Sequence, residues 1–226
     1  ASTSNMLSAI NLANAMGPGV VSMSFGTPEG SWVSSVDSAF SAANMTYVAA
    51  SGDSGTRSGA QWPSVSSQVL AVGGTRLNAY TSSARTETVW SSTGGNLSGV
   101  VAAPSYQSAR VPGLGASLFR SVADVAFNAD PTTGQYVAVI PLGQTSVTWY
   151  SMGGTSLGTP QWAGIVAVAN AQRALNSQGA LGLVQNLIYP ASEQCAAVAA
   201  DDVGKLAGIK TGLFAGRVDQ VLHQPQ

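Results

Sequence analysis

The residues best suited to chemistry lie within 151–170, SMGGTSLGTPQWAGIVAVAN. A small-residue elbow, Gly153-Gly154-Thr155-Ser156, runs into a helix whose Pro160 suits the first turn, and it presents the Ser156 hydroxyl beside the positive helix end. Ser156 is the candidate nucleophile. Its neighbours are small, as they must be if a substrate carbonyl is to approach to about 3 Å. The competing reading is a Ser/Gly loop that merely starts a helix. A serine nucleophile commonly takes its base from histidine, and the only histidine is His223, in a weakly patterned tail. A second polar loop, Ser51-Gly52-Asp53-Ser54-Gly55, follows an apolar strand at 46–50, the place where open parallel sheets bind ligands. Asp53 can either act in that site or only cap its own turn through its side chain.

The Gly-Thr-Ser-x-x-x-Pro pattern resembles the serine motif of subtilases, but those enzymes carry their Asp and His before the serine. No histidine precedes Ser156, which excludes a subtilisin-type triad. The longer stretch Gly153-Gly154-Thr155-Ser156-Leu157-Gly158-Thr159-Pro160 resembles the serine motif of the sedolisins, the serine-carboxyl peptidases. Four further stretches resemble that family in the same order: Val21-Ser22-Met23-Ser24-Phe25-Gly26, Ala50-Ser51-Gly52-Asp53-Ser54-Gly55, Val72-Gly73-Gly74-Thr75, and Asp124-Val125-Ala126-Phe127-Asn128-Ala129-Asp130-Pro131.

The resemblance implies an α/β fold, a subtilisin-like parallel sheet with helices on both faces. It implies peptide-bond hydrolysis in which a glutamate serves as base for Ser156, an aspartate orients that glutamate, and a second aspartate sits in the oxyanion hole. By motif match the oxyanion residue is Asp53. A carboxylate there would repel the developing oxyanion, so the acid must be protonated to donate, and activity at acidic pH follows. Backbone at Ser51-Gly52 and Gly153-Gly154 would line a cleft for an extended peptide. The base glutamate and its aspartate belong, in the family, on a helix that would fall ahead of Ala1. Residues 1–226 are therefore expected to be one sedolisin-like domain without its N-terminal catalytic-helix segment, which would be a companion segment or chain, or be absent. Glu29 and Asp37 do not match that helix, and Phe25 stands where many sedolisins have tryptophan. The resemblance also implies a calcium site built on hard oxygen ligands. Asp202-Val203 resembles its first half, but the second half reads Ala207-Gly208-Ile209-Lys210, with no aspartate, so the site is expected to be degenerate.

The elements that would position these residues follow from pattern. Apolar spacing predicts a helix over 5–16 stopped by Gly17-Pro18-Gly19, a buried strand over 20–24, a helix over 32–44 capped by Ser31, and a strand over 46–50, which together make a βαβ unit. Residues 69–72 read as a third strand leading to a turn at Gly73-Gly74-Thr75. Residues 78–120 read as loops with short strands around Thr93-Gly94-Gly95-Asn96. Residues 123–127, 130–134 and 136–140 read as strand, turn and strand. A further helix is expected over 181–189. Trp32 and Trp162 are assigned to helix-face packing and Trp149 to the core or a strand edge; Arg57 and Arg76, which could pair with surface carboxylates, are assigned no role.

Composition narrows the function classes. Charged residues make up only 8% against 45% hydrophobic, with 26 glycines, so few ion pairs are at risk when carboxylates protonate. An acid-tolerant, exported protein is the expectation, its targeting segment already gone from the chain. A net charge of −1 without a Lys/Arg cluster leaves no footprint for nucleic acid or an anionic membrane. Cys195 alone excludes an internal disulfide and a cysteine zinc site. No run approaches the ~18 apolar residues of a membrane span. Two other classes compete with the peptidase: a non-catalytic homologue that binds peptide or a partner chain, and a neutral esterase whose activity would survive Asp53→Asn.

Overall fold

The computed structural model describes residues 2–80, 85–107 and 118–189. In chain order the elements are α1 (Thr3–Ala15), β1 (Gly19–Met23), β2 (Thr27–Pro28), α2 (Val33–Val36), β3 (Met45–Ala50), β4 (Gln61–Trp62), β5 (Val69–Tyr80), β6 (Arg85–Val89), β7 (Asn96–Ala102), β8 (Phe119–Val122), β9 (Val125–Asn128), β10 (Gln135–Val139), β11 (Thr148–Met152), α3 (Thr155–Leu175) and α4 (Gln185–Ile188). β1, β3, β5 and β9 lie side by side and parallel, with β3 and β9 on opposite edges of β5. Beyond them β5 continues as an antiparallel ribbon with β6.

Side-chain alternation along the buried strands sorts the core into two layers. Tyr47 and Ala49 of β3 join Val69 and Ala71 of β5 beneath α1 and α2, with Ile10, Val33, Phe40 and Trp62. Val48, Leu70 and Val72 point the other way and pack with Trp162, Val166 and Ala169 of α3. This is the expected parallel sheet covered on both faces. α3 comes close to the sheet because Gly158 has no side chain: a Cβ there would lie 2.8 Å from Phe127 Cβ.

Several local expectations need correction. The helix expected over 32–44 is a single turn at Val33–Val36 followed by a 3-10 turn at Asp37–Phe40, without a side-chain cap from Ser31. Ser34 and Ser35 donate their hydroxyls to the carbonyls of Ser31 and Trp32, the local competition that makes serine a weak helix former. Gly73-Gly74-Thr75 is not a turn but the middle of β5, paired with β9. The helix expected over 181–189 shrinks to Gln185–Ile188. Pro160 lies in the second turn of α3 rather than the first. Of the two places expected for Trp149 it takes the strand edge and not the core, 63% exposed on the two-stranded β10–β11 hairpin.

Candidate active site

The Asp53 loop leaves the carboxyl end of β3 and is held from two sides. On one side Gly94 N donates to Gly52 O at 2.6 Å, Ser51 Oγ donates to Gly94 O at 2.9 Å, and Gly55 N donates to Ser92 O at 2.8 Å. Only glycine fits at 94, where a Cβ would fall 2.0 Å from the Ser51 carbonyl oxygen. On the other side the loop meets the first turn of α3. Thr155 N and Thr155 Oγ1 both donate to Asp53 Oδ1, at 2.7 and 2.8 Å, and Gly52 N donates to Thr155 Oγ1 at 3.1 Å.

Asp53 therefore caps the helix that carries Ser156, across the site, and not its own turn. Its carboxylate answers an orphan backbone N–H at the positive helix end. Among the described residues no hydrogen bond reaches Asp53 Oδ2, which lies against Gly154. Gly154 is obligatory twice over, with φ at +93° and a would-be Cβ 2.7 Å from Oδ2.

Ser156 follows Thr155 directly and is exposed. The structure thus brings Ser156 and Asp53 to the same helix turn. Pro160 has no N–H to give to the Ser156 carbonyl one turn back, and Ser24 Oγ donates to that carbonyl instead, at 3.3 Å. Ser24 follows the end of β1, so two strand ends converge on the helix start. No hydrogen bond from a described residue engages Ser156 Oγ.

Ser51 and Gly52 differ from expectation in one respect. Ser51 is buried, its N–H donates to Val72 O at 3.0 Å, and the Gly52 N–H and carbonyl are committed as above. These groups are spent within the protein and are not free to make strand-like hydrogen bonds to a peptide, because a loop at a buried strand end must satisfy its own backbone. Gly153 and Gly154 flank the same spot, and Gly154 N donates to Ala129 O at 2.6 Å. Glu29 is occupied elsewhere, accepting from Ser98 Oγ at 2.6 Å and Gly99 N at 2.7 Å. Asp202 and Val203 lie outside the described residues, as do Cys195 and His223. Among the described residues no group of three His, Cys, Asp or Glu could hold a metal. No described helix is long and apolar enough to cross a membrane.

Sequence reasoning missed a second polar cluster, below the sheet ends. Arg120 is fully buried and grips Asp124 with both terminal nitrogens, at 2.9 and 2.7 Å. Its remaining donors reach the carbonyls of Ser66, Ser64 and Val69. Asp124 also accepts from Ala71 N, Gln107 Nε2 and Tyr189 Oη, at 2.8, 3.0 and 3.1 Å. Burial by itself would lower the Arg120 pKa, but Asp124 outweighs it and holds the guanidinium charged above its ordinary range. Burial pushes the Tyr106 and Tyr189 phenols up, and the Asp124 charge adds to this. The available signal was an arginine four residues before an aspartate in a chain with few charges.

A model of the subtilase family matches residues 1–191. The chain belongs to the subtilase family. The only histidine, His223, lies beyond the matched residues. Kumamolisin of Bacillus sp. (strain MN-32) is 42% identical over 177 residues, which are 68% of this chain and 31% of that protein. The Pseudomonas sedolisin, a serine-carboxyl proteinase solved with two molecules of pseudo-iodotyrostatin, superposes with a TM-score of 0.68 at 27% identity. That match covers 82% of this chain and 56% of that one. The prenylagaramide maturation protease PagA shares the fold alone, with a TM-score of 0.57 at 15% identity over 97% of this chain and 68% of that one. These likenesses bear out the sedolisin resemblance and the subtilisin-like fold. The chain spans about a third of kumamolisin's length and just over half of the sedolisin chain.

Proposed function

We propose that this chain carries the nucleophile and the oxyanion donor of an acid-active serine-carboxyl endopeptidase. The observation that carries the reading is the shared helix turn: Asp53 Oδ1 is held by Thr155, next to Ser156, while Oδ2 stays unengaged beside Gly154. In this mechanism Ser156 Oγ attacks the scissile carbonyl carbon and passes its proton to a carboxylate base. Asp53, protonated on Oδ2, donates a hydrogen bond to the new oxyanion. The C–N bond then breaks, the base returns the proton to the departing amine, and water releases the acyl group from Ser156. Protonation of Asp53 is what confines turnover to acid.

The base glutamate and its orienting aspartate come from outside these 226 residues, as a segment or chain that completes the single domain. Support for this is that none of the described carboxylates bonds to Ser156. The substrate is a peptide or protein, and the chain is exported, in keeping with its sparse charge. The alternative is a scaffold that binds peptide without cleaving it.

An active-site-directed peptide aldehyde or acylating probe separates the two readings. Intact mass at about pH 4 is expected to show an adduct on the native protein that Ser156→Ala abolishes. Peptide binding with no such adduct would establish the scaffold instead.

A further inference from the structure

Strands β10 and β11 form a hairpin that, among the described residues, no third strand joins. A lone two-stranded ribbon is marginal in water. Its base is tied to the body by Gln135 Nε2, which donates to Gln161 Oε1 of α3 at 3.0 Å, and by Ser151 Oγ, which donates to the Pro131 carbonyl at 3.3 Å. Alternation puts Val137, Tyr150 and Met152 on the face that Gln135 turns toward α3. Tyr136, Ala138 and Trp149 share the outer face, with Ile140 and Val147 one step further toward the turn. The two faces differ in exposure: Val137, Tyr150 and Met152 are 36–45% exposed, whereas Tyr136, Ile140, Val147 and Trp149 are 52–74% exposed.

The outer face carries no charge to keep another surface away. No Asp, Glu, Lys, Arg or His occurs between Asp130 and Arg173, so neither strand has the charged gatekeepers by which exposed ribbons resist pairing. Hydrocarbon is a poor occupant, because among the described residues the outer edges of both strands have no strand partner, and lipid tails cannot satisfy such backbone groups. An uncharged protein surface is a better one. At about 150–250 Å² for a fully buried ring, Tyr136 and Trp149 alone leave roughly 200–350 Å² open. With Ile140 and Val147 added, two copies together reach the ~1,000 Å² of a weak but specific dimer.

The face also fits itself. Ala138 stands directly across from Trp149 in the strand register, so a notch and a ring lie side by side. A two-fold axis running along the hairpin, midway between two stacked sheets, lays β10 of one copy on β11 of the other, and each Trp149 then falls on an Ala138. We infer that the outer face of the β10–β11 hairpin is the docking surface for a second copy of this chain, with the Trp149 ring of each copy seated in the notch over Ala138 of the other. This contact is independent of the peptidase reading, because no part of it involves Ser156 or Asp53.

Sedimentation velocity of the wild-type chain is expected to show a concentration-dependent dimer with a Kd on the order of 10 μM, as suits a small interface. Ala138→Trp sets ring against ring and Trp149→Ala sets notch against notch, and each is expected to weaken the dimer about tenfold or more. Carrying both substitutions exchanges ring and notch, and the dimer is expected to return to within about threefold of wild type. General stickiness would behave otherwise, since Ala138→Trp makes the hairpin more apolar. A wild type that stays monomeric at about 100 μM overturns the inference. So does a dimer that neither single substitution weakens, or one that both weaken and the double variant fails to restore. Binding to phosphatidylcholine vesicles that Ala138→Trp strengthens, with no dimer in solution, assigns the face to lipid and overturns it too.

Discussion

Asp124 accepts five hydrogen bonds from side chains and backbone and is 4% exposed, whereas Asp53 accepts two, both from Thr155, and keeps its second oxygen at an open site. Both aspartates lie in stretches of the sedolisin type; motif match singles out Asp53, but residue type and setting do not tell the two apart. Saturation of the oxygens does. A carboxylate with every neighbour engaged is locked into the scaffold. One held by a single oxygen is oriented yet still able to bond to a ligand.

Removing each carboxylate is the sharpest way to break this comparison. Asp124→Ala leaves a buried guanidinium unpaired and is expected to cost about 3–5 kcal/mol in urea unfolding. The loss should shrink when Arg120→Met is added, because the stranded charge goes with it. Asp53→Ala removes only a helix cap and is expected to cost about 1 kcal/mol, while lowering Ser156 acylation about 10²–10³-fold. Similar stability losses for the two would remove the distinction.

Alkali is the next strongest probe, and it acts on the Asp124 region through two buried phenols. Tyr106 and Tyr189 have folded pKa values raised above the unfolded value of about 10, chiefly by burial. Above that pH the unfolded chain releases protons that the folded one retains, so stability is fully present below about pH 10 and falls as pH rises. Tyr106→Phe should delay the loss in a pH titration followed by circular dichroism.

Gly154→Ala tests the other region. It forces a side chain into positive φ and into Asp53 Oδ2, with an expected stability loss of about 1–3 kcal/mol and a larger proportional loss of Ser156 acylation. The smallest effect belongs to Arg76, half exposed and 3.6 Å from Asp130: Arg76→Ala should change stability by less than about 1 kcal/mol, and a larger change would mean that pair supports the turn before β10.

Much of the frame was legible because it is written locally. The apolar runs of β1 and β3, the small-residue elbow before Ser156 and the polar loop around Asp53 each declare themselves within a few residues. The expectation over 32–44 failed because apolar spacing does not register hydroxyls that capture nearby carbonyls, as Ser34 and Ser35 do. Two adjacent glycines make Gly73-Gly74-Thr75 look like a turn after residue 72, but β9 pairs with them and keeps the strand running.

By itself the sequence determined which residue types were available at which strand ends: a serine at a helix start, an aspartate after a buried strand, glycines wherever backbone must come close. Only the tertiary structure decided their partnerships. Thr155 with Asp53 and Ser24 with Ser156 are contacts across more than a hundred residues, set by which strands become neighbours in the sheet. Side-chain periodicity reports the face a residue turns to the core, but not which distant chain end arrives beside it.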